Sequence, residues 1–226
     1  MDSKIKDLRQ QIFKFKNNND FNKNDFFVSQ SNFFAYNLLN SWPNWEKKFI
    51  NVFGEKKSGK SHLTNIFLED KGGIKILSKN LDFNFLDNLK NYENIVLEDF
   101  EPNCDEKLVY SLLDLVEKNN KYLILTSSKA VNTMNFNLND LKSRLKNCLM
   151  AEMTNPDDEL VHALLIKNLS DNQLVLDNKI INFIIQRIPR SYDKISDFIC
   201  TIDEISLKKK KPINLKIIKE ILGVSN

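Results

Sequence analysis

The chain is predicted to be a three-layer α/β domain built on a parallel five-stranded sheet, followed by an all-helical domain. Two observations carry this. Short apolar runs alternate with segments long enough for helices up to about residue 154, and beyond Pro156 the texture is helical throughout. A strand that pairs in parallel with its successor needs a long return connection, so strands alternating with helices imply right-handed crossovers in one sheet.

The elements follow in order. Phe34, Ala35, Leu38 and Leu39 recur at helical spacing from Asn32, and Pro43 ends that helix. Phe49–Phe53 is a compact strand-like run that stops at Gly54, and Leu63, Ile66 and Phe67 then mark a helix. Further strands are expected at Ile74–Leu77, Ile95–Leu97, Tyr122–Thr126 and Cys148–Met150. Helices are expected at 158–169, 178–188, 192–207 and 215–222, separated by Asp171-Asn172, Pro189 and Pro212. Ahead of all this, residues 1–15 carry a small apolar cluster and the polar run KNNNDFNKND reads as a tether, so the expected division is 1–25, 26–154 and 155–226.

Composition narrows the classes. The 226 residues are 42% hydrophobic and 28% charged with a formal net charge of +3, which gives ample core and no chain-wide basic field. Apolar runs such as Tyr122–Leu125 fall far short of the roughly 20 residues that span a bilayer. The N-terminus has charge where a secretory signal is apolar, so a cytoplasmic protein without membrane partners is expected. Cys104, Cys148 and Cys200 are widely separated and read as ordinary buried residues, neither a disulfide framework nor a zinc site. His62 and His162 read as structural. Arginine occurs only at positions 9, 144, 187 and 190.

Gly54-Glu55-Lys56-Lys57-Ser58-Gly59-Lys60-Ser61 fits GxxxxGK[ST] between a predicted strand and a predicted helix, the context of a phosphate-binding P-loop. Two glycines let the backbone wrap a phosphate, successive N–H groups and the helix N-terminus supply positive charge, Lys60 reaches the β/γ oxygens, and Ser61 can ligate Mg2+. The run Ile95-Val-Leu-Glu98-Asp99 is an apolar strand ending in two carboxylates at the same sheet edge: Glu98 to hold the metal through water, Asp99 to orient an attacking water.

These motifs, in this order, resemble the DnaA-related AAA+ family and, within it, the alphaproteobacterial Hda-type regulators of the initiator. Phe26-Phe27-Val28-Ser29-Gln30-Ser31-Asn32 is similar to the FVxGxSN segment that borders the adenine there, with Ser29 where glycine is usual. LLNSWPNW at 38–45 resembles the Hda-type opening, and Leu125-Thr-Ser127-Ser the sensor 1 strand end. Leu141-Lys-Ser-Arg144-Leu resembles the arginine-finger segment, and Met153-Thr-Asn-Pro-Asp157 the junction into the helical lid. The resemblance implies an ADP or ATP site with Mg2+, bordered by Phe27, Val28, Asn32, residues 54–61, Ser127 and Arg190. It implies that Arg144 acts in trans on ATP bound to DnaA. Gln10, Phe13 and Phe15 resemble the Hda peptide that docks on the DNA sliding clamp. The expected function is regulation of chromosomal replication initiation by promoting hydrolysis of DnaA-bound ATP. The alternative is a stand-alone AAA+ ATPase or helicase-loader-like factor, and a homo-oligomer is open.

The sequence departs from the family at three positions. Asp193 falls where the sensor 2 arginine is usual, with Arg190 about one turn earlier; Glu98 replaces an aspartate; Lys57 replaces a glycine. These changes favour nucleotide as a structural ligand over rapid turnover. Nothing follows Asn226 where DnaA continues into a helix-turn-helix domain, so origin recognition is not expected. Lys208–Lys211 read as a solvated run, with sequence-independent DNA backbone contact as the alternative.

Overall fold

The computed structural model describes residues 25–172, 174–209 and 213–223. Its centre is a five-stranded, all-parallel sheet in the order β2-β3-β4-β1-β5, formed by β1 (Phe49–Gly54), β2 (Ile74–Leu77), β3 (Asn94–Phe100), β4 (Tyr122–Ser127) and β5 (Leu149–Met153). Helices α1 (Phe33–Asn40), α2 (Lys60–Lys71), α3 (Phe83–Leu89), α4 (Glu106–Lys118) and α5 (Asn139–Lys146) interleave with the strands.

The period of two along each strand explains the layers. Ile50, Val52, Val96 and Ile124 point to one face, where they pack with Ala35 and Leu39 of α1 and Leu63 and Phe67 of α2. Phe49, Ile95, Leu97, Leu123 and Leu125 point to the other, against α3, Leu112 and Leu113 of α4, and Leu141 and Leu145 of α5. Both faces are covered, which is why these strands are nearly continuous apolar runs and not alternating ones. Buried Asn51 in β1, between β4 and β5, is satisfied: Nδ2 donates to Leu125 O (3.2 Å) and Ser127 Oγ (2.8 Å), and Oδ1 accepts from Val131 N–H (2.9 Å).

The C-terminal part holds α6 (Asp158–Asp171), α7 (Asn178–Ile185), α8 (Tyr192–Lys209) and α9 (Leu215–Leu222) around a separate core that includes Val161, Leu165, Ile184, Ile195 and Ile218. Asp157 joins the two parts. It caps α6 through Leu160 N–H (2.8 Å) and also accepts Ser31 N–H (3.0 Å) from the segment ahead of α1. Burial pushes its carboxyl up, but the converging N–H donors outweigh this and hold it below its ordinary value.

Several sequence expectations need correcting. β3 runs from Asn94 through Glu98 and Asp99 to Phe100, past the apolar run Ile95–Leu97 at both ends, the last strand starts at Leu149, and α7 stops at Ile185. Cys148 is buried, with its thiol pushed up to about 12, but Cys104 is only half-buried and Cys200 is exposed. Among the described residues no helix is long and apolar enough to cross a membrane.

Candidate nucleotide site

The loop after β1 is shaped by its backbone. A Cβ on Gly54 would lie 2.4 Å from Met153 O on β5, so only glycine lets the first strand turn away this close to its neighbour. Gly59 adopts φ 95 and opens α2. No side chain caps α2 and no acid stands in its first turn, so its positive end is presented to the loop. A cleft of about 800 Å3 lies there, lined by loop residues 56–61 with His62, Asp99, Glu101, Leu164 and Lys167. That volume is within the span of small-molecule sites. Lys60 Nζ donates to Gly54 O (2.9 Å) and Glu55 O (2.8 Å), lying along the loop's inner edge. Burial lowers its pKa, and Asp99, Glu55 and Glu98 pull the other way. The residues fit a polyphosphate: uncapped helix N–H groups, a half-buried ammonium and a glycine-bounded turn, all at one opening.

The acidic edge differs from expectation. Asp99 sits at a β-bulge in β3 with φ 53, its N–H held by Thr126 Oγ1 (3.1 Å), and its side chain lines the cleft. Glu98 is buried, and both its oxygens are engaged by the protein: Oε1 accepts from Thr64 Oγ1 (3.3 Å) and Oε2 pairs with Lys75 Nζ (3.6 Å), which also donates to Asn65. Ser61 on α2 fits a magnesium ligand, whereas Glu98 fits that role only in competition with Lys75. Neither Thr126 nor Lys75 was singled out in the sequence. The signal for Lys75 was a charge between Ile74 and Ile76 in an otherwise apolar strand.

The segment ahead of α1 is held by its own polar groups. Asn32 is buried, with Nδ2 donating to Phe27 O (2.9 Å) and Oδ1 accepting Ser29 N–H (3.0 Å), so it shapes this segment from within. Ser29, standing where the resembled family usually has glycine, is accommodated by a hydroxyl pair with Ser31 (2.8 Å). Val28 is half-buried, and Phe27 is exposed beside a second cleft of about 470 Å3 shared with Asp158, His162 and Ile185 of the helical part. His62 packs edge-on against Phe26.

Two expected site residues are not brought to the phosphate loop. Ser127 is buried, its hydroxyl donating to Lys129 O (2.6 Å) while it accepts from Asn51, so it serves the sheet. Arg190 donates to Ile185 O (2.7 Å) and pairs with Asp158, within the helical part. The loop instead meets α8. Glu55 Oε1 accepts from Ser191 Oγ (2.6 Å) and Oε2 from Tyr192 N–H (3.1 Å). Lys57 Nζ lies 3.1 Å from Asp193 and 3.8 Å from Asp197. The hydrogen bond that Lys57 donates to Asp193, against slight desolvation, raises the Lys57 pKa.

Arg144 stands on α5, outside the lining of the cleft. It pairs with Glu117 (2.8 Å) and Asp114 (3.4 Å) of α4 and lies 4.6 Å from the centre of the Tyr110 ring. Gln10, Phe13, Phe15, Lys210 and Lys211 lie outside the described residues; of Lys208 and Lys209 only the helical backbone is described.

A parallel sheet in this order, with a glycine-bounded loop after β1 and a C-terminal helical part, is the architecture of an AAA+ P-loop domain. The solved structures agree on the fold. Domain III of DnaA from Thermotoga maritima superposes with a TM-score of 0.70 at 16% identity, over 91% of this chain and 97% of that one. AMPPCP-bound DnaA from Aquifex aeolicus gives 0.69 at 18% identity, over 90% of this chain and 70% of that one. By sequence, the chain is related at low identity to DnaA initiators: it is 23% identical to the chromosomal replication initiator DnaA of Helicobacter hepaticus over 258 residues, covering 97% of this chain and 56% of that protein. It thus spans about half the length of the DnaA proteins it matches. No protein-family profile matches it.

Proposed function

We propose that this chain binds an adenine nucleotide, ADP or ATP, in the loop 54–61 and regulates a DnaA-type initiator. The observation that carries the reading is the uncapped N-terminus of α2 opening on the cleft beside Lys60. The AMPPCP bound by the Aquifex relative supports the choice of adenine nucleotide. Backbone N–H groups of the loop hold the phosphates, Lys60 leaves its loop carbonyls to meet them, and Ser61 takes Mg2+ when it is present. Asp99, fixed by Thr126 and facing the cleft, is the residue positioned to orient a water.

In this proposal the protein acts on ATP held by DnaA. Arg144 lies away from its own cleft, as an arginine meant for a neighbour's nucleotide would, and must exchange Glu117 and Asp114 for a phosphate. Residues 10, 13 and 15 supply a peptide for the sliding clamp, and the working division is a peptide and tether to residue 25, an α/β part to 154 and a lid beyond, in a cytoplasmic protein. Rapid turnover by the chain itself is disfavoured by Glu98 being shared between Thr64 and Lys75 and by an aspartate at position 193. The test is a DnaA ATPase assay with clamp loaded on DNA. The parent accelerates hydrolysis and Arg144→Ala reduces the acceleration at least about tenfold, given the usual worth of such an arginine. An Arg144→Ala protein as active as the parent removes the mechanism. Turnover without DnaA that Lys60→Ala abolishes favours the stand-alone ATPase.

A further inference from the structure

Lys57 is one of three non-glycine residues with positive φ among those described, at φ 64. A glycine would adopt this conformation without strain, so a lysine here needs a reason outside the loop's own backbone. Its ammonium supplies one: it lies 3.1 Å from Asp193 and 3.8 Å from Asp197, carboxylates four residues apart on one face of α8. Two positions earlier Glu55 reaches the same helix, taking Ser191 Oγ at 2.6 Å and Tyr192 N–H at 3.1 Å, a carboxylate at a helix N-terminus. Beneath them Tyr192 OH donates to Thr154 O (3.1 Å), where β5 leads into the lid. The Glu55 carbonyl in turn accepts from Lys60 Nζ (2.8 Å), so one loop residue touches both the phosphate-binding lysine and the lid.

We propose that Glu55 and Lys57 are lid-positioning residues: the phosphate loop itself grips the first two turns of α8 and holds the lid over the nucleotide cleft before any ligand arrives. Two sequence departures that look unrelated, a lysine inside the loop and an acid at position 193, are then the two halves of one contact, with the cation on the loop and the anion on the lid. Lys57, Asp193 and Asp197 are each about half exposed or more, so the ion pairs are weak singly, and the Glu55 bonds carry the larger share.

The inference concerns the same cleft but is testable without nucleotide. Amide hydrogen exchange is followed across residues 191–197 in the nucleotide-free full chain. Glu55→Ala raises exchange there by about tenfold and Lys57→Gly by about threefold. Lys57→Gly also relieves the positive φ, so its thermal midpoint stays level or rises, and looser lid exchange in a protein no less stable is not misfolding. Lys57→Asp loosens α8 further, and adding Asp193→Lys restores it. Unchanged exchange at 191–197 in both Glu55→Ala and Lys57→Gly, or a Lys57→Asp effect that Asp193→Lys fails to correct, overturns the proposal. A parent that binds no fluorescent ADP analogue overturns the proposed function and leaves this exchange result standing.

Discussion

The two sides of the cleft were built differently. On the phosphate side the work falls to backbone: Gly54 turns beside Met153 O, Gly59 opens α2, and the N–H groups at the start of α2 face the cleft, whatever side chains stand at 55–58. On the acidic side it falls to side chains, and there the same motif letters give another arrangement, with Glu98 shared between Thr64 and Lys75 and Asp99 raised on a bulge. A site made of main chain tolerates Lys57 in place of glycine, at the cost of one strained residue. A site made of carboxylates changes character with one neighbouring lysine.

The largest effect is expected on the main-chain side. Gly54→Ala puts a Cβ 2.4 Å from Met153 O, and is expected to cost about 3 kcal/mol of stability in denaturant titration. A neutral result would mean that β1 and β5 are not held at this distance. Asn51→Ala tests whether Ser127 serves the sheet: losing the partner of Val131 N–H and Ser127 Oγ should cost about 2 kcal/mol while nucleotide affinity stays within about twofold. A drop in affinity matching the loss of stability would return Ser127 to the site.

The acidic side is sharpened by Lys75→Ala. Freed of its ammonium, Glu98 should draw Mg2+ better, lowering the Mg2+ concentration that half-saturates nucleotide binding by about threefold, whereas Lys75→Arg should leave it unchanged. The smallest effect is where the two parts join. The Asp157 carboxyl is depressed in the folded protein, so its contribution is present above its ordinary value of 3.8 and is lost as pH falls through the folded value. The gap in stability between parent and Asp157→Asn should therefore close as pH drops below 3.8 and stay level from pH 5 to 7.

What the sequence made legible follows the same division. The five strand runs and the loop between Gly54 and Ser61 were readable because period and glycine placement report on backbone. Ser127, Asn32 and Arg190 were carried over from a resemblance, and their partners, Asn51, Phe27 O and Asp158, are brought to them only by the fold. Lys75 and Thr126 were missed for the same reason, since each lies on a strand beside β3 and meets Glu98 or Asp99 laterally across the sheet. The pairing of Lys57 with Asp193 joins positions 136 residues apart, and no local pattern contains it.

In the proposed site, main-chain groups around Gly54–Ser61 hold a phosphate tail with Lys60 beside them. Calorimetric titration of the full chain with ADP and Mg2+ is the decisive experiment. One nucleotide per chain should bind with a dissociation constant of about 10 μM or tighter, and Lys60→Ala should weaken it by at least about tenfold. No binding by the parent, or equal binding by parent and Lys60→Ala, contradicts it.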